Sequence, residues 1–124
     1  MQKHLLVLDQ NNESLELANE IMYYGYSDVQ ITSDCNAVYQ IAKLSRPDLV
    51  ILDFSSIDEN AQKVCSHFKQ DRELAKIPVI VLSDYITERI DVNQYSCDAM
   101  FMKPYDAEQL AINIQSLVEL KAAV

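Results

Sequence analysis

Four residues whose side chains suit phosphoryl chemistry occupy matching places in the chain. Asp9 follows LLVL at residues 5–8, Asp53 follows LVIL at 49–52, Ser83 follows VIVL at 79–82 and Lys103 follows MFM at 100–102. Carboxylate oxygens suit a hard cation such as Mg²⁺, which takes few protein oxygens and keeps several waters. A hydroxyl and an ammonium beside them can hold the oxygens of a phosphoryl group, whose transfer depends mainly on positioning and charge compensation. A carboxylate at the end of a buried strand is held from below and presented outward, which suits a nucleophile toward phosphorus.

The elements that must position these residues follow from hydrophobic pattern. Five short apolar runs, LLVL, VQI (29–31), LVIL, VIVL and MFM, are bounded by polar or turn residues and read as strands. Between them apolar residues recur at helical spacing, as in Leu15, Ala18, Ile21 and Met22, or Val38, Ile41, Ala42 and Leu44. Leu110, Ala111, Ile114, Leu117 and Val118 give a closing helix one apolar face. Asn12, Ser33 or Asp34, Asp58 and Asp106 stand where N-caps are expected, Gly25 ends the first helix, and Pro47 and Pro78 precede the third and fourth strands. This strand–helix alternation predicts an α/β fold with a parallel sheet, strands buried on both faces and helices on both sides. In such a sheet ligands bind outside the carboxyl ends of the strands, where Asp9, Asp53, Ser83 and Lys103 fall.

Composition excludes several other classes. The 124 residues fit a single domain, 1–124, with 49% apolar residues to fill one core. A net charge of −9, with ten Lys and Arg, argues against direct nucleic-acid binding, which needs clustered basic residues. No apolar run approaches the ~20 residues of a membrane span, and the first residues do not read as a signal peptide, so a cytoplasmic protein without membrane association is expected. Cys35, Cys65 and Cys97 are odd in number and widely spaced, as expected of reduced packing residues. His4 and His67 have no sequence neighbours that suggest catalysis, and no glycine-rich phosphate loop supports an enzyme with an external substrate.

With PDLVILD ending on Asp53, IPVIVLS on Ser83 and FMKP carrying Lys103 and Pro104, the chain resembles the receiver domains of two-component response regulators from Lys3 to about Leu120. The resemblance implies a flavodoxin-like, doubly wound five-stranded sheet in order 2-1-3-4-5. It implies Asp53 as phosphoacceptor, Ser83 and Lys103 as the phosphoryl-contacting hydroxyl and ammonium, and Mg²⁺ held by Asp9, Gln10, Asp53 and Ser55. The implied donor is a histidine kinase or phosphotransfer protein. The implied receiver of the signal is a downstream output protein, reached through the fourth helix, fifth strand and fifth helix. Catalysis is limited to self-phosphorylation and self-dephosphorylation at Asp53, and a cis Lys103–Pro104 peptide is expected.

Three departures from the family pattern stand against this. Gln10 replaces the second acidic residue of the usual pair, Ile57 and Ala61 replace the proline and glycine of the loop after the acceptor, and Asp84 follows the hydroxyl where a small residue is usual. Met100 occupies the place of a switching aromatic and reads as packing, while Tyr85, Phe101 and Tyr105 suit either a partner surface or the core. Asp9, Asp53, Ser83 and Lys103 favour a phosphorylatable receiver. Gln10, Asp84 and the altered loop favour a pseudo-receiver, a phosphorylation-independent protein-interaction module.

Overall fold

The computed structural model describes residues 3–9, 14–54, 59–84 and 97–122. Strands β1 (His4–Asp9), β2 (Asp28–Thr32), β3 (Leu49–Phe54), β4 (Val79–Ser83) and β5 (Ala99–Met102) alternate with helices α1 (Ser14–Tyr23), α2 (Ala37–Ser45), α3 (Glu59–Gln70) and α4 (Ala107–Ala122). All strand pairs are parallel, in the order β2-β1-β3-β4-β5. The expected helix between β4 and β5 falls on 85–96, outside the described residues, so the closing helix is α4 here. Asn12, Asp58, Ile57 and Tyr85 also lie outside them.

Side chains alternate across the pleat and divide the core into two layers. Leu6, Leu8, Val50, Leu52, Phe54, Val79 and Val81 pack with Val38, Ala42, Val64, Cys65 and Phe68 on the α2 and α3 face. Leu5, Val7, Leu49, Ile51, Ile80 and Leu82 pack with Leu17, Ile21, Leu110, Ile114 and Val118 on the α1 and α4 face. Burial on both faces holds for the three inner strands but not for β2, an edge strand whose Ile31 is 43% exposed. Two helix faces are also narrower than expected: Met22 is 50% and Leu44 87% exposed. In α1 the buried face runs through Leu17, Ala18 and Ile21, which lie within one turn of each other and exclude Met22 from the core side.

Local chemistry ends and starts these elements. Gly25, at φ +102, closes α1: its N–H donates to the Met22 carbonyl at 3.0 Å while the Tyr26 N–H donates to that of Ile21 at 3.2 Å. This double closure needs the left-handed conformation that glycine adopts without strain. Asp106 caps α4, its Oδ1 accepting from the Glu108 N–H at 2.9 Å. At α2 the N-cap position falls instead on Asn36, without a side-chain cap bond. Asp34 Oδ1 accepts the Asn36 N–H at 2.8 Å, tightening the turn before the helix, because two further residues precede the first helical turn.

A repeated device sets the amino edge of the sheet. Asp48, just before β3, accepts the His4 N–H on Oδ2 at 2.8 Å and returns its own N–H to the His4 carbonyl at 2.8 Å. Asp98, just before β5, treats Val79 the same way at 2.7 and 2.8 Å, and Lys69 Nζ reaches the same oxygen at 3.0 Å. Removing the carboxylate strands a buried N–H, which costs about 1–3 kcal/mol. Asp98→Ala is therefore expected to lower the urea midpoint with an unchanged slope, equivalent to about 2 kcal/mol.

None of the three cysteines is in a disulfide. Burial pushes Cys65 up to about 12 and Cys97 up to about 11, so both stay protonated at neutral pH and act as small packing groups. His4 Nδ1 lies 3.2 Å from Asp28, and His67 stacks on Tyr39 with ring centroids 3.7 Å apart, so both histidines serve the fold. Met100 is partly buried against the α2 and α3 layer, as packing predicts. The Lys103–Pro104 peptide is cis, as expected. No described helix is long and apolar enough to cross a membrane.

Candidate functional site

Sheet register brings the two carboxylates together. Asp9 and Asp53 end neighbouring strands as direct partners, and both are buried, at 2% and 4% exposure. They continue the Leu5–Val7 and Leu49–Ile51 rows, so they emerge on the α1 and α4 side of the sheet. Lys103 continues the Ala99–Phe101 row of β5 onto that same side, and its backbone N–H donates to the Ser83 carbonyl at 2.8 Å. Its Nζ forms an ion pair with Asp53 Oδ1 and lies 3.4 Å from Asp84 Oδ1.

Ser83 is at the same end of the sheet but on the other pleat. It pairs in register with Phe54 rather than Asp53, and its side chain is fully buried. Ser83 thus continues the row of Val79 and Val81 on the α2 and α3 face, while Asp53 continues the opposite row. Gln10 and Ser55, the two remaining expected metal ligands, lie outside the described residues. No group of three or more His, Cys, Asp or Glu that could hold a metal occurs among the described residues. What the described residues supply is a pair of adjacent buried carboxylates, a hard-oxygen donor set that suits a divalent cation.

Asp84 is less hostile to an anion than its sequence position suggests. Its side chain is 47% exposed and shares Lys103 with Asp53, so its charge is both solvated and paired. Two acidic residues not expected at the site are Glu16 and Glu20. With Leu17, Asp53, Lys103, Pro104 and Tyr105 they line a cleft of about 320 Å³ at the carboxyl end of β3. The Tyr105 hydroxyl donates to Glu20 Oε2 at 3.0 Å, and burial, then this carboxylate, hold the phenol well above its ordinary value. The i, i+4 spacing of Glu16 and Glu20 places them on one helix face, but sequence alone does not say that this face borders the crevice.

Electrostatics set the Asp53 carboxyl above the ordinary carboxylate value. Burial raises it most, Lys103 opposes, and the charges of Asp9 and Asp84 raise it further. For Lys103 burial works downward, but Asp53 and Asp84 outweigh it and hold the ammonium above its ordinary value. Because the folded chain holds the Asp53 proton more tightly than the unfolded one, the group favours folding most below the ordinary value of 3.8. That contribution is lost as pH rises through the raised value. At neutral pH without metal, Asp53→Asn is thus expected to melt a few degrees above wild type, with the gap closing as pH falls toward 3.8. A lower melting temperature for Asp53→Asn at pH 7 would contradict this electrostatic account.

No family model matches the sequence. The polar-differentiation response regulator DivK of Brucella ovis is 24% identical over 119 residues, covering 94% of this chain and 96% of its own length. Among solved structures, the receiver domain of a putative LuxO repressor protein from Vibrio parahaemolyticus superposes with a TM-score of 0.82 at 18% identity, covering 99% of this chain and 95% of that one. The receiver domain of the sensor histidine kinase PA1611 from Pseudomonas aeruginosa gives 0.79 at 16% identity over 96% of this chain and 99% of its own. That protein has a magnesium ion coordinated in its active-site cleft.

Proposed function

We propose that this chain, a receiver domain of two-component signalling, accepts a phosphoryl group on Asp53 and relays its state to an output partner. The carrying observation is the buried Asp53 at the end of a central strand, beside Asp9 in register and in an ion pair with Lys103. A histidine kinase or phosphotransfer protein serves as donor: a carboxylate oxygen of Asp53 forms the new P–O bond as the P–N bond of the donor phosphohistidine breaks. Lys103 then pairs with the phosphoryl oxygens in place of the carboxylate it now holds, and Ser83 turns to donate to one of them.

Asp9 and Asp53, with Gln10 and Ser55, would hold Mg²⁺. The ion supplies positive charge that compensates the phosphoryl group during transfer. Residues 1–124 act as one cytoplasmic domain whose own chemistry is confined to gaining and losing the phosphoryl group at Asp53. Recognition is by protein partners, with no direct role for nucleic acid or membrane.

The pseudo-receiver alternative is not favoured, since the relatives are response regulators and receivers. The exposure and pairing of Asp84 also answer one of the objections to phosphorylation. Intact mass after incubation with Mg²⁺ and a small-molecule phosphodonor tests the proposal.

A further inference from the structure

The opposite end of the sheet carries a second cleft of about 380 Å³, formed where α2 leads into β3 and where residues 72–77 lead into β4. Its lining includes Lys43, Arg46, Arg72 and Lys76, four of the ten Lys and Arg in a chain of net charge −9. Lys43 is neutralised by Asp71 at 2.9 Å. Arg46, Arg72 and Lys76 have no carboxylate partner among the described residues, and Glu73 is the one acidic side chain in the lining. Pro47, Leu74 and Ile77, all buried, form the apolar floor of the cleft.

Three cations without carboxylate partners on one concavity run against the field of an acidic chain, which otherwise repels anions. Guanidinium groups match phosphate oxygens in a two-point geometry, and the lysine adds a point charge. The floor asks for an apolar or planar part on the same ligand, and the volume lies in the range of small-molecule sites. We infer that this cleft binds an organic phosphate of mononucleotide size, with its phosphoryl groups on Arg46, Arg72 and Lys76 and its apolar part on Pro47, Leu74 and Ile77. The site is separate from the Asp53 crevice, about a strand length away, and does not depend on phosphorylation.

The competing role for these cations is to complement the carboxyl end of α2, where positive charge is favourable. Arg46 separates the two. It occupies the left-handed region at φ 48 and ψ 64, closing α2 with its N–H on the Ala42 carbonyl, a place that glycine fills without strain.

The experiment titrates the full chain with ADP, free of Mg²⁺ and at low ionic strength, and follows backbone amide resonances. Shifts confined to residues 42–47 and 72–77, weaker with adenosine, are expected. Arg46→Gly with Arg72→Gln is expected to weaken ADP binding at least about tenfold without lowering the melting temperature of the free chain. Four results would overturn the inference: no shifts at millimolar ADP, shifts centred on the Asp53 crevice, binding of a polyglutamate peptide as tight as that of ADP, or a variant that melts earlier and keeps its affinity.

Discussion

Incubated with Mg²⁺ and a small-molecule phosphodonor, the wild-type chain is expected to gain one phosphoryl group, and Asp53→Asn none. The amide cannot attack phosphorus, and Asp53 combines near-complete burial with an ion pair to Lys103. Asp9 is equally buried and ends the neighbouring strand β1, in register with Asp53. Intact mass reads the result directly. Equal labelling of both proteins would place the acceptor elsewhere, and absence of labelling in both would favour the interaction module. Because Asp53→Asn also removes a charge that works against the folded state at neutral pH, loss of labelling cannot be blamed on unfolding if the variant melts at or above wild type.

The placement of Asp53, Asp9 and Lys103 at one end of the sheet was legible because strand periodicity is strict. Apolar runs of three or four residues fix both the strand and the residue that must stand at its carboxyl end, and parallel pairing then aligns Asp9 with Asp53. Sheet edges and helix rims were less legible. VQI reads like an inner strand, yet β2 has a neighbour on one side only, so Ile31 meets solvent. Met22 and Leu44 fit a helical period, but the buried stripe is narrower than the period allows, and which residues fall outside it depends on the angle at which each helix lies on the sheet. Ser83 was found by position, whereas its placement on the opposite pleat from Asp53 follows from register, which strand sequences do not give. Glu16, Glu20 and Tyr105 were missed as neighbours of Asp53 for a related reason: their meeting depends on α1 and α4 lying on the same face.

Gln10 carries the second large expectation, because it is where the sequence departs from the acidic pair most directly. Substitution Gln10→Asp adds a carboxylate next to Asp9, which is already aligned with Asp53. A unit charge at ~4 Å from a unit charge is worth ~1 kcal/mol in water and ~4 kcal/mol at an effective dielectric of 20, before the double charge of Mg²⁺ is counted. Mg²⁺ affinity is therefore expected to rise at least about tenfold, measured by calorimetry or by the shift of melting temperature with added Mg²⁺. Without metal, the same charge adds to the repulsion that already raises the Asp53 carboxyl, so the free variant is expected to melt below wild type. These opposite signs distinguish a metal crevice from a merely acidic rim. A solvated rim would gain little affinity and lose little stability, whereas two buried carboxylates in register should respond strongly in both directions. If Gln10→Asp leaves both Mg²⁺ binding and the rate of Asp53 labelling unchanged, the crevice is not organised for phosphoryl transfer, and the interaction-module reading becomes the better account of the chain.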